Sequence, residues 1–266
     1  MKKYLISKIS KSQYLFIKKL LNMRFRIIFD FNLKKGNYVS SKSSESYNSN
    51  IDRYHDIRQY LFENLKITKR KLDFLEIGSG AGDMKYLLQQ IDSGISHEGF
   101  AEENLKLFNT KFHYYGLDIN FSDKSKNIFL GDICDDSFQK KYIAKYPVPD
   151  IVYSNNVFEH LKNPWKAAKN IVDVSKEGTS IIITAPFSLR YHKSPNDYFR
   201  FTHEGLIALF SEFCDLEILI NGYDTNMRRV NWQGDDDGSY VKEDTFGAWR
   251  ENWFSVLVAK IKNKKL

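Results

Sequence analysis

The stretch LDFLEIGSGAG, residues 72–82, decides how the rest of this chain is read. A short apolar-rich run, Leu72 to Ile77, ends on glycines at 78, 80 and 82. Such a run closed by a turn reads as a buried strand. Glycines let the backbone bend and approach a ligand with no Cβ in the way. The helical pattern MKYLLQQI (84–91) follows, and the N–H groups at a helix start offer partial positive charge to a carboxylate or a phosphate. Spacing narrows the ligand. A dinucleotide fingerprint, G-x-G-x-x-G, would put its third glycine at Asp83, an acid that repels a pyrophosphate. A Walker loop needs Gly-Lys-Ser/Thr, and no such triplet follows.

Outward from this turn, strand and helix patterns alternate. HYYGLDI (113–119), NIFLGDI (127–133), PDIVYSN (149–155) and TSIIITAPF (179–187) read as strands two to five, the last apolar enough for a central parallel strand. PWKAAKNIVDVS (164–175) and HEGLIALFSEF (203–213) read as helices, and LEILING (216–222) and NWFSVLVAKI (252–261) as late strands. IDRYHDIRQYLFENL, from Ile51, has apolar residues at helical spacing. The alternation predicts a parallel α/β sheet with helices on both faces, with an antiparallel strand at its edge. Residues 92–111 make the interval from Gly82 to Asp118 long and read as an insertion.

Two zones precede the domain, which is expected at 51–266. Residues 1–30 read as a basic, aromatic-rich helical arm and 31–50 as a Ser/Asn-rich linker. The chain carries +7 overall, yet residues 1–35 hold ten Lys/Arg against Asp30 alone, and the remainder is slightly acidic. A domain that grips nucleic acid needs its own basic face, so none is expected as a partner. The arm either seeks an anionic membrane surface or packs as a cap or homodimer contact, and the second reading is favoured. Every apolar run in it is broken by Lys or Arg, short of the roughly 20 residues a span requires. Two cysteines, Cys134 and Cys214, form no metal motif, and a cytoplasmic location is expected. Asp235-Asp236-Asp237 lacks calcium-loop spacing and reads as a solvated turn, so no metal is expected.

The string E-x-G-x-G-x-G, with the motifs that follow it, resembles the class I S-adenosylmethionine-dependent methyltransferases from about Leu72 to Ala259. Strand two ends in Asp118, strand three in Gly131-Asp132-Ile133, and strand four runs into NVFEHL (156–161). The last resembles the D-x-V-x-S-x-x-V-x-E-H stretch of the family's small-molecule branch, although Lys176-Glu177-Gly178 stands where Pro-Gly-Gly is usual. The resemblance implies a Rossmann-like seven-stranded, mostly parallel sheet and an S-adenosyl-L-methionine site. Glu76, Gly78, Ser79, Gly80 and Gly82 would shape the cofactor's amino-acid end. Asp118 with Ile119 would meet the ribose, Asp132 with Ile133 the adenine, and Ser154 with Asn155 the wall behind the sulfonium.

Beyond strands four and five lie the titratable groups an acceptor needs. An alcohol must lose its proton as it attacks, which calls for a positioned base. His160, His192 and Asp197 are the candidates, in no fixed order. Tyr191, Tyr198 and Arg200 are expected at the acceptor, although Asp197 and Arg200 could equally pair across a turn. The segment HKSPNDYFRFT (192–202) resembles that of surface-polysaccharide methyltransferases. It implies O-methylation of a small polar acceptor, a sugar or nucleotide-sugar. Transfer to nitrogen or carbon, a lipid-linked acceptor, and a non-catalytic cofactor-binding scaffold stay open beside it.

Overall fold

Hydrophobic runs separated by amphipathic helices assemble here into one sheet buried on both faces. The computed structural model describes residues 51–64, 70–80, 105–189, 191, 195–224 and 253–265. In order these are α1 (Arg53–Gln59), a π turn (Tyr60–Asn64), β1 (Leu72–Ile77), a helical segment 105–111, β2 (Phe112–Asp118) and β3 (Ile128–Leu130). Then follow α2 (Phe138–Ile143), β4 (Ile151–Asn155), a 3-10 turn (Phe158–His160), α3 (Pro164–Val174), β5 (Ser180–Ser188), α4 (His203–Ser211), β6 (Cys214–Asp224) and β7 (Trp253–Lys264). The arm and linker at 1–50, the helix expected at 84–91, Gly82, His192 and the acidic run 235–237 lie outside the described residues.

Alternate strand residues enter two cores, as a period of two with helices on each side requires. Leu75 and Ile77 of β1, Val152 of β4, Ile181 and Ile183 of β5 pack with residues of α2, α3 and α4. Leu72, Phe74, Ile151, Tyr153 and Ile182 pack on the other face with Ile57 of α1 and Phe108 of the segment 105–111. Caps set the helix starts. Asn163 accepts from Lys166 N ahead of Pro164, and Thr202 Oγ1 accepts from Gly205 N at 2.8 Å.

The seven-stranded sheet has the order β3-β2-β1-β4-β5-β7-β6. Strands β1 to β5 pair in parallel, whereas β7 runs antiparallel to both β5 and β6. The antiparallel strand is therefore one in from the edge, and β6 is the edge strand. Strand three is shorter than 127–133: its ladder with β2 ends at Leu130 opposite Asp118, where Gly131 N donates to Asp118 O at 2.9 Å as the last rung. The stretch 92–111 is not wholly irregular, since 105–111 is helical and buries Phe108 against Phe74 and Phe112. Helix α2, which the sequence reading passed over, buries Phe138 and Tyr142 at helical spacing.

Strand order reverses between β1 and β4. Open α/β sheets bind ligands in the crevice outside the carboxyl ends at that point. Among the described residues no helix is long and apolar enough to cross a membrane, and no His, Cys, Asp and Glu cluster could hold a metal ion.

Candidate active site

The glycine turn and the end of β2 form one hydrogen-bonded unit. Gly78 N and Ser79 N donate to Leu117 O at 2.8 and 3.1 Å, and Gly80 N donates to Asp118 Oδ2 at 2.9 Å. Gly78 and Gly80 hold φ of +74° and +53°, the left-handed region that disfavours side chains. A Cβ on Gly78 would overlap Val157, whereas a Cβ on Gly80 would meet nothing within 4 Å among the described residues. The crevice is thus closed against β4 at one glycine and open at the other. Asp118 Oδ1 accepts from Asn120 N (2.8 Å) and Phe121 N (3.1 Å), so three of its roughly four acceptor positions are filled by backbone. Glu76 is buried on the Phe74 face of β1 and accepts from the Tyr114 hydroxyl at 2.5 Å. Ser79 tucks its Oγ over Gly116, where a Cβ would come within 2.6 Å.

At the end of β3 the expected adenine pair divides. Asp132 is exposed and accepts from Cys134 N at 2.8 Å, while Ile133 turns into the core. Asn170 of α3 fixes this turn through the carbonyls of Ile133 and Asp135, at 2.7 and 2.9 Å. Ile119 is 57% exposed on the solvent side of the β2 end.

The end of β4 is the most buried part of the edge. Ser154 is fully buried, and Asn155 Oδ1 accepts from Thr184 Oγ1 on β5. Asn156 takes the left-handed φ of +54° and donates its N–H to Thr184 O at 3.0 Å. The side-chain oxygens of Ser79, Ser154 and Asn156 are buried without a hydrogen-bond partner among the described residues. The 3-10 turn follows, anchored by Phe158 against Phe201 and Phe210. Its next residue, Glu159, has a side chain with no solvent exposure. Burial pushes that carboxyl up to about 8; its own backbone hydrogen bond and the positive charge of Arg200 and Arg53 offset this only in part, and Asp197 adds to it.

His160 carries its imidazole between two protein groups. Nδ1 is hydrogen-bonded to the carbonyl of Asn196, and Nε2 stands 3.7 Å from Glu159 Oε1. The loop beyond β5 is clamped onto the same turn, because Tyr198 N and Phe199 N both donate to Glu159 O (2.7 and 3.3 Å). Phe201 N donates to Pro186 O at 3.0 Å. Within the loop Arg200 takes Asp197 in a two-pronged pair, with Nη2 2.6 Å from Oδ2, and also binds Leu189 O. The Asp197 side chain is 1% exposed. Tyr191 and Tyr198, at 46% and 47%, present their rings to solvent.

The structure therefore brings His160, Asp197, Tyr198 and Arg200 together around one turn, and gathers Gly78, Ser79, Gly80 and Asp118 at another. Sequence reasoning brought Glu159 to the acceptor end of strand four without giving it a role, and did not single out Asn156 or Val157. The motif NVFEHL contained all three, but burial and a left-handed backbone leave no mark in the letters.

A family model described as a methyltransferase domain matches residues 47–214. No curated protein matches the chain. Among solved structures, a SAM dependent methyltransferase from Archaeoglobus fulgidus is similar, at 15% identity and TM-score 0.45 over 78% of this chain and 94% of that one. The YcgJ protein from Bacillus subtilis is similar at 11% identity and TM-score 0.48, over 79% of this chain and 100% of that one. TehB from Haemophilus influenzae is similar at 16% identity and TM-score 0.45, over 86% and 67% of the two chains.

Proposed function

We propose, from the premise that this chain belongs to the S-adenosylmethionine-dependent methyltransferase family, that it methylates a hydroxyl of a sugar or nucleotide-sugar with His160 as the base. S-adenosylmethionine is the cofactor, and when bound it supplies an electrophilic methyl group on a sulfonium. The crevice suits that group. The space that the described residues leave at Gly80, the Asp118 carboxylate, and the Ser79 and Asn156 oxygens, which have no partner among the described residues, are what a polar adenosyl ligand would use. Gly78, Gly80 and Asn156 would hold its amino-acid end, Asp118 its ribose through the remaining acceptor position on Oδ2, and Asp132 its adenine.

One observation carries the choice of base. With Nδ1 on the Asn196 carbonyl, that nitrogen must bear the proton, so the neutral ring keeps its lone pair on Nε2. Fixing the tautomer through the other nitrogen is how imidazole bases are held in acyl-transfer triads. Asp197 is a weaker candidate, because its carboxylate already serves Arg200. Asp197 and Arg200 then act by shaping the loop that presents Tyr198. Exposed Tyr191 and Tyr198 supply amphipathic faces against which a pyranose or a nucleobase could rest.

The test is formation of S-adenosylhomocysteine against a panel of nucleotide-sugars, amines and quinols. Turnover on a nucleotide-sugar that falls at least 100-fold in His160→Gln, with S-adenosylhomocysteine affinity kept within twofold, supports the reading. Turnover confined to amines or carbon acids would overturn it, and cofactor binding without turnover on any acceptor would favour a scaffold.

A further inference from the structure

We propose that Glu159 is the positioning residue of His160, a buried carboxyl that stabilises the imidazolium formed when the acceptor gives up its proton. The inference rests on His160 as the base and adds a residue that the cofactor and acceptor motifs leave without a task. Three features of the turn carry it. The two side chains are consecutive on one 3-10 turn, and Oε1 lies 3.7 Å from Nε2, inside the range at which opposite charges in a dry site attract strongly. The Glu159 side chain is wholly excluded from water. Its backbone carbonyl accepts from Tyr198 N and Phe199 N, while His160 Nδ1 donates to the Asn196 carbonyl, so the acceptor loop locks both residues at once.

Among the described residues, charged groups act on Glu159 from three directions: Arg53 from α1, Asp197 and Arg200 from the loop, and His160 from its own turn. Burial dominates among them and keeps the proton on the carboxyl until about pH 8. In the step itself the acceptor oxygen forms a bond to the methyl carbon. The electron pair of the breaking carbon–sulfur bond returns to sulfur, which becomes a neutral thioether. The acceptor's proton passes to Nε2, and the positive charge lost from sulfur reappears on the imidazole. An ionised Glu159 beside that imidazolium lowers the barrier; a neutral one does so less.

Two measurements test this on the full chain bound to S-adenosylhomocysteine. The first needs no acceptor: NMR of the His160 ring carbons across pH 6 to 10 should show an inflection near pH 8 that reports Glu159 ionising. Glu159→Gln, the neutral isostere, should abolish it. A ring signal without that inflection, or one that survives in Glu159→Gln, overturns the proposal. The second is turnover. With a nucleotide-sugar acceptor the wild-type rate should stay within about twofold of Glu159→Gln at pH 6.5 and exceed it roughly tenfold at pH 9.5. A ratio constant with pH overturns the proposal as well. If no nucleotide-sugar is turned over, the acceptor reading fails, while the ring titration still decides the pairing of Glu159 with His160.

Discussion

The backbone amide of Gly80 donates to Oδ2 of Asp118 across 2.9 Å, tying the glycine turn after β1 to the acid that ends β2. The same carboxylate caps Asn120 and Phe121, so it is a structural clasp as well as the group proposed above to hold the ribose. Asp118→Ala should therefore fail twice. Half-buried charge-assisted bonds of this kind contribute on the order of 1–2 kcal/mol to stability. Calorimetry with S-adenosylhomocysteine should show affinity reduced at least tenfold, and urea unfolding should show the stability loss. Asp132→Ala, which releases only Cys134 N, should cost less on both counts.

The two described glycines of the turn should separate by experiment. Both have positive φ, so an alanine at either costs about 1 kcal/mol of backbone strain. At Gly78 the new methyl also meets the stiff, β-branched Val157, while at Gly80 it meets none of the described residues. Gly78→Ala should destabilise by roughly 2–3 kcal/mol, partly relieved in Gly78→Ala/Val157→Ala. Gly80→Ala should fold nearly as well as the wild type yet bind S-adenosylhomocysteine poorly. Equal stability losses for the two variants would contradict this account of the crevice.

These contrasts mark what the letters could and could not tell. β1, β4 and β5 were legible because near-continuous apolar runs end in turns, and the glycine spacing pointed to the crevice at their carboxyl ends. The segment 105–111 hid because Leu105 and Leu107 are exposed and Phe108 alone is buried there, which blurs the helical period. The late strands showed their character but not their order, since composition says nothing of which of two neighbours pairs with β5. At the candidate base the spacing of Asp197 and Arg200 allowed either a pair or a free acid, and the fold forms the pair. Glu159 was legible as a carboxyl at the end of strand four but not as a buried one, because burial is set by the fold around it.

A buried charge on α1 ties the first helix to the far end of β6. Arg53 Nε lies 3.4 Å from Asp224 Oδ2 with both side chains 4% exposed, and the guanidinium sits 3.6 Å from the centre of the Phe254 ring. Removing one partner of such a pair leaves the other charged in a dry site, which costs about 3 kcal/mol or more. Asp224→Ala should lose that much in urea unfolding. Arg53→Met/Asp224→Ala should recover part of it, because the uncompensated charge is gone. A double variant less stable than Asp224→Ala would mean that Arg53 serves another partner more strongly than Asp224.

Glu159 makes stability itself a function of pH, with a sign opposite to that of an ordinary paired carboxylate. Its folded-state value is raised from 4.5 to about 8, so between those limits the folded chain holds a proton that the unfolded chain has released. Stability contributed by the neutral carboxyl is therefore full below about pH 4.5, declines as pH rises, and levels off above about 8. The total swing is about 5 kcal/mol. Gln at this position is neutral at every pH and removes the swing. Thermal unfolding of Glu159→Gln and wild type should nearly coincide at pH 5, with the variant ahead by something like 10 °C at pH 8.5. Other titrating groups cancel in the comparison because they are common to both chains. A gap that stays constant from pH 5 to 8.5 would mean that the carboxyl ionises as freely in the folded protein as in the unfolded one, against its complete burial.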